Sequence, residues 1–150
     1  MTTTHFVLAV VMVGAPIAPV PKVPDREALA KEVAAQFMKA MKAEDRDAVL
    51  KLTDVPFCWD CERVVKDAKE LGTQFDGVFK DKDLTELEFE VKEVFAGEKL
   101  PELVSKRARD TATAFAKEVD FVVSVKLKRD GMAVFVRVRD GKAKVCGFYD

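Results

Sequence analysis

The chain has no asparagine, a single histidine (His5), a single tryptophan (Trp59), a single tyrosine (Tyr149) and three cysteines in 150 residues. Each scarcity removes a class of chemistry. Without asparagine there is no N-glycosylation sequon. His5 lies in a leader-like N-terminal stretch, and removal of that stretch leaves no imidazole. Ser-His-Asp catalysis, Cys-His catalysis and histidine metal sites are then excluded. A basic excess is also missing, since 25 Lys and Arg face 26 Asp and Glu for a net charge of -1. That balance argues against a dedicated nucleic-acid binder. Residues 6–13 read FVLAVVMV, an apolar run far short of the roughly 20 residues a bilayer needs, so no stable membrane insertion is expected.

What is present suits one soluble domain. Apolar residues make up 49% and charged residues 34%, a globular profile. A chain of this length buries roughly 70% of its unfolded surface on folding. The apolar run is followed by Gly14-Ala15 and a proline-rich segment ending at Pro24. This order fits a signal peptide plus a stiff linker over residues 1–24, with one domain over 25–150 and a periplasmic or extracellular destination. The alternative is a plain N-terminal tail or a misassigned start codon, which leaves the protein cytoplasmic.

From Asp25 the pattern becomes helical. Leu29, Val33, Phe37, Ala40 and Met41 recur at three- and four-residue spacing behind an N-capping Asp25, predicting a helix over 26–43. Asp45 caps a shorter helix, and Pro56 ends helical structure. Residues 55–60 and 61–65 read as two strands around a turn at Asp60. Asp67 and Glu70 form a capping-box relative before a third helix that buries Leu71, Phe75, Val78 and Phe79.

The second half alternates. Leu87, Phe89 and Val91 mark a half-buried strand between glutamates. Residues 101–116 are ambiguous, a helical turn and then loop or strand entry. Three strands follow, joined at Asp130-Gly131 and Asp140-Gly141, a dipeptide suited to tight hairpins that need positive φ at both central positions. Two-residue turns there set Leu127 opposite Val134, Val125 opposite Val136, and Val136 opposite Val145. One face then collects Phe121, Val123, Val125, Leu127, Met132, Val134, Val136, Val138 and Val145. The other carries Lys126, Lys128, Arg137, Arg139, Lys142 and Lys144 around Phe135, Cys146 and Phe148. Cross-strand pairing with Glu86, Glu88 and Glu90 would neutralise much of that charge.

This order of elements resembles the nuclear transport factor 2-like superfamily, including its SnoaL-like and ketosteroid-isomerase-like members. The likeness is carried by Asp45-Arg-Asp-Ala-Val-Leu-Lys-Leu-Thr53, by Val55-Pro-Phe-Cys-Trp-Asp60, by the helix start at Lys66-Asp67, and by the closing segment from Val134 to Val145. It covers most of the chain from Asp25. The resemblance implies an α+β cystatin-like cone, with N-terminal helices packed on a curved antiparallel sheet, a C-terminal three-stranded meander and an apolar cavity at the open end. Phe37, Met41, Phe57, Trp59, Phe75 and Phe89 are the candidate ligand contacts. It also implies a homodimer through the outer sheet face, at Phe135 and Phe148. Isomerase-like chemistry needs a carboxylate base and an oxyanion donor. Asp60 falls near the base position, but Tyr149 does not match the family's first-helix tyrosine.

Cys58-Trp-Asp-Cys61 has C-x-x-C spacing. A thioredoxin-like site would place it at a helix N-terminus, not on a hairpin. A closed zinc site lacks ligands, so no metal or cofactor is expected. A local Cys58–Cys61 disulfide, or two buried thiols, is the favoured reading. The leading functional expectation is an exported domain binding a small apolar molecule. The alternatives are an isomerase- or hydrolase-like cavity enzyme using Asp60, and a thiol–disulfide protein using Cys58 and Cys61.

Overall fold

The computed structural model describes residues 25–150; the expected signal peptide and linker lie outside the described residues. Helix α1 (Arg26–Lys42) is capped by Asp25, whose carboxylate accepts from the Glu27 N–H at 3.0 Å. Helix α2 (Arg46–Leu52) is capped by Asp45 through the Ala48 N–H at 3.1 Å. Strands β1 (Thr53–Trp59) and β2 (Arg63–Val65) follow, then helix α3 (Ala68–Asp81), where Asp67 accepts from Lys69 and Glu70 N–H groups. Strand β3 (Phe89–Ala96) leads through a 3₁₀ segment (Gly97–Glu102), helix α4 (Arg109–Phe115) and a second 3₁₀ turn into β4 (Phe121–Leu127), β5 (Gly131–Arg139) and β6 (Lys142–Tyr149). The fold is α+β, with helices laid on a curved six-stranded sheet.

Strand order is β2-β1-β6-β5-β4-β3. The sheet is mixed, not wholly antiparallel as expected, because β1 runs parallel to β6. β1 enters directly from α2 and docks beside the last strand, a long-range pairing that local pattern does not reveal.

The meander's inner face matches expectation. Val123, Val125, Val134, Val136, Val138 and Val145 are buried in one core with Phe37, Phe57 and Phe75, and Phe121, Leu127 and Met132 pack at its rim. The Asp140-Gly141 turn also matches: φ is 53° and 72° at its two residues, and Val136 pairs with Val145.

The first turn differs. Val123 pairs with Val134, Val125 with Met132 and Lys126 with Gly131, so residues 127–130 form a wider connection. Gly131 lies in strand β5 and is not a positive-φ residue. The expected register is displaced by an even number of residues, and such a slip keeps every side chain on its own face. Burial therefore cannot distinguish the two alignments. Contacts at the far end favour the observed one: Asp120 N–H donates to the Val136 carbonyl at 2.9 Å, and its carboxylate accepts from Val138 N–H at 2.8 Å.

A bulge in β6 makes the second correction. Val136 pairs with Val145 but Phe135 pairs with Gly147, leaving Cys146 as the extra residue. Beyond it Phe148 sits opposite Val134 and joins the inner core, not the outer face where simple alternation puts it.

The outer face is also covered. Leu100, Val104, Ala108, Ala112, Phe115 and Val119 pack over Val122, Phe135, Cys146, Cys58 and Cys61 as a second core. The ambiguous segment is thus a short helical layer, with Pro101 inside its first 3₁₀ turn. Phe135 is fully buried beneath it. Neither residue expected at a homodimer contact stands on an open surface.

Arg137, expected among the exposed cations, is 2% exposed. Its guanidinium donates to the Glu118 carbonyl (3.1 Å), Asp54 Oδ2 (3.2 Å), the Pro56 carbonyl (3.3 Å) and Glu118 Oε2 (3.4 Å). Five fixed donors let one side chain fasten β1 and the outer layer to β5. The glutamate pairing holds where Glu90 faces Lys126 across β3 and β4. The Lys92 ammonium, at 2.8 Å, holds the Glu90 carboxyl below its ordinary value by hydrogen bond and charge.

Candidate functional site

An aromatic cluster forms where α1 and α3 meet β1 and β6. Valine side chains fill the sheet's centre, but rings gather toward the open end. Trp59 lies edge-on to Phe75 at 5.2 Å between centroids and to Phe148 at 5.0 Å. Phe37 and Phe57 approach Phe75 at 6.2 and 5.9 Å. These are favourable edge-to-face geometries. The bulge at Cys146 completes the cluster, because it turns Phe148 inward.

Beside these rings the chain leaves a cavity of about 250 Å³. Phe37, Met38 and Met41 from α1 form one wall, and Phe75 and Val78 from α3 another. Trp59, Phe148 and Met132 close the sheet side. Leu84 and Leu87, in the connection before β3, roof it. Asp60, Lys82 and Asp150 supply its only charged groups among the described residues.

Of the six candidate contacts, Phe37, Met41, Trp59 and Phe75 line this cavity. Phe57 is fully buried behind Trp59, with ring centroids 6.0 Å apart. Phe89 packs against the main core from edge strand β3 and lines, instead of this cavity, a surface depression with Glu88, Glu90, Lys126 and Lys128. Met38, Val78, Leu84, Leu87, Leu127, Met132 and Phe148 were missed. Met38 was legible, being one residue from Phe37 and one turn from Met41 on α1. Phe148 was not, because only the bulge reverses its direction.

Asp60 sits at the tip of the β1–β2 hairpin. The Glu62 N–H donates to the Trp59 carbonyl at 3.0 Å, and Asp60 and Cys61 between them have φ of 50° and 51°. Two successive non-glycine residues in the left-handed region store strain that the surroundings must hold. Asp60 Oδ1 accepts from the Asp150 N–H at 2.9 Å, which ties the hairpin tip to the end of β6.

On the other side of this turn lies a second, polar cleft of about 530 Å³, shared by Asp60 and Asp150 and lined by Cys61, Ser105, Arg107 and Tyr149. The Tyr149 hydroxyl accepts from the Ser105 N–H at 3.2 Å and therefore faces this cleft, not the cone. Among the described residues no hydroxyl side chain lines the apolar cavity.

The three thiols lie in the outer core. Cys58 and Cys61 Sγ atoms are 3.8 Å apart. The hydrogen bond shared with Cys61 holds the Cys58 thiol below its ordinary value, against the opposing effect of burial. The same bond, reinforced by burial, pushes Cys61 up. Burial pushes Cys146 up to about 12. Among the described residues no group of three or more Cys, His, Asp or Glu side chains is arranged to hold a metal ion.

The class defined by these features is a small α+β cone with an unfilled apolar cavity at its open end. Solved structures share the architecture. A ketosteroid isomerase-like protein from Erwinia carotovora atroseptica superposes with a TM-score of 0.52 at 14% identity, over 81% of this chain and 92% of that one. A cystatin-like-fold protein of unknown function from Nostoc punctiforme gives 0.50 at 12% identity, over 82% and 87%. A third chain, an NTF2 variant by its designation, gives 0.50 at 13% identity, over 83% and 98%. At these identities the likeness is one of fold, and the fold is the nuclear transport factor 2-like, cystatin-like cone. No protein-family profile matches the sequence. No curated protein matches it either.

Proposed function

We propose that the cone cavity binds one small, mostly apolar molecule, and that the protein does so as an exported domain. The observation that carries the reading is the space of about 250 Å³ walled by aromatic and methionine side chains that the chain leaves unfilled. It exceeds the ~150 Å³ apolar cavity that suffices to take up benzene. It lies near the lower end of ligand pockets, which start at about 300 Å³. Methionine adapts to ligand shape, and rings supply area at little entropic cost. A molecule of one or two fused rings fits these dimensions, its single polar group turned to Asp60 and Lys82 at the mouth. The leader-like residues 1–24 support the exported setting.

Titration with 1-naphthylamine, whose emission rises in apolar surroundings, tests the reading. Saturable one-site binding accompanied by quenching of Trp59, the sole tryptophan, is the expected result. A folded protein that shows no saturable binding up to millimolar probe refutes it. Asp60 at the mouth favours one second reading, proton abstraction from a bound carbonyl compound. Solvent hydrogen exchange into such a compound that disappears in Asp60→Asn would establish it.

A further inference from the structure

The C-x-x-C turn is also the partition between the two cavities. Its inner residues, Trp59 and Asp60, line the apolar cavity. Its outer residues, Cys58 and Cys61, point into the second core. Both are free thiols in this structure, with sulfurs 3.8 Å apart. A disulfide needs about 2.05 Å, so less than about 2 Å of further approach brings them to bonding distance. The polar cleft brings a small solute as far as Cys61, which lines it with Ser105, Arg107 and Thr111, and the fully buried Cys58 lies directly behind. The backbone that would move is the strained pair Asp60 and Cys61, held by contacts that include the single Asp60–Asp150 hydrogen bond.

We propose that Cys58 and Cys61 are a reversible dithiol–disulfide pair, oxidised by hydrogen peroxide entering through the polar cleft, whose state sets the position of Trp59 and Asp60 at the cavity mouth. The thiolate of the pair attacks one peroxide oxygen. The O–O bond breaks, a sulfenic acid forms, and the departing hydroxide takes a proton to become water. The second thiol, on losing its proton, attacks the sulfenic sulfur. The S–O bond breaks and a second water leaves. Two thiols lose two electrons in all, and one peroxide becomes two waters. A dithiol reductant returns the pair to thiols by exchange. The lowered Cys58 thiol provides the thiolate. Cys146 does not line the cleft and burial holds its thiol protonated, so it takes no part.

The redox step stands on its own, whereas its coupling to the cavity rests on the apolar-ligand reading above. The full chain is treated with peroxide, the remaining thiols are alkylated, and the tryptic peptide 52–63, which contains both cysteines, is weighed. The expected result is loss of two hydrogens and no alkylation of that peptide, with Cys146 alkylated after denaturation. Trp59 emission should change in parallel and recover with dithiothreitol. The 1-naphthylamine affinity should differ between the two states by about fivefold or more, within the usual range of site–site coupling.

A peptide that keeps two alkylatable thiols in folded protein overturns the proposal. So does one that gains oxygen, or a disulfide that includes Cys146. A Cys58–Cys61 bond with unchanged probe affinity overturns the coupling alone. A bond in a protein that binds no probe in either state leaves the redox pair standing and refutes the apolar-ligand reading. Cys61→Ser should abolish the fluorescence response, and the mass readout on the unaltered chain decides the matter if that variant fails to fold.

Discussion

Substituting Val78 by Phe separates a true cavity from a core position. Val78 is half-buried on α3 and faces the space beside Phe75. In a filled core the larger ring would overpack, at a cost of about 1–3 kcal/mol. In an unfilled cavity it has room. Phenylalanine adds about four carbons to valine, and burying each is worth up to ~0.8 kcal/mol. The ring stays near the mouth and remains partly exposed, so the gain falls to about 1 kcal/mol, in line with other cavity-filling changes. The same ring occupies volume that 1-naphthylamine needs, so affinity should fall at least about tenfold, equivalent to ~1.4 kcal/mol. Urea unfolding followed by circular dichroism measures the first effect, and probe titration the second. Stability should rise while binding weakens. Loss of more than about 1 kcal/mol of stability with unchanged probe affinity would refute the cavity, because the ring would then have met packed side chains.

Three further outcomes are expected. Gly147→Ala places a Cβ 2.8 Å from the Cys58 carbonyl oxygen and 2.5 Å from the Phe135 ring; overpacking of about 1–3 kcal/mol should lower the urea midpoint. Arg137→Met leaves Asp54 and the Glu118 and Pro56 carbonyls without their buried donor. A loss of about 1–3 kcal/mol in urea unfolding is expected from the acceptors left unpaired, and Arg137→Lys should recover only part of it because an ammonium cannot span the same acceptors. Cys146, raised from 9.0 to about 12 by burial, binds its proton more tightly folded than unfolded. Its contribution is fully present below pH 9 and lost as pH rises toward 12, with a slope of at most ~1.4 kcal/mol per pH unit. Cys146→Ala should flatten the alkaline fall of stability relative to the unaltered chain, and equal slopes would contradict the burial argument.

The candidate site was half legible. Phe37, Met41, Trp59 and Phe75 announced themselves by helical spacing or by flanking a hairpin turn, and all four line the cavity. Phe89 alternates correctly on its strand and packs against the main core, yet it lies outside the cavity. Period-two patterning assigns a residue to a face of the sheet, not to a position along it. Phe148 and Arg137 were misplaced for different reasons. One extra residue at Cys146 reverses everything after it in β6, and its one local signal is Gly147, an isolated glycine within a strand pattern. Arg137 resembles any other outward cation until the outer layer is seen to bring Glu118 over it.

Aspartate caps, helical spacing, strand alternation and the Asp140-Gly141 turn are local properties, each set by contacts among residues a few positions apart. They determined the first three helices, the hairpin and the aliphatic inner face of the meander. The parallel β1–β6 pairing, the register of β4 on β5, the bulge and the cover of the outer face all depend on segments far apart in the chain. Alternatives that bury the same side chains differ only in which distant backbone groups they pair. Tertiary packing chose among them, and that choice opened the cavity and set two thiols back to back with its mouth.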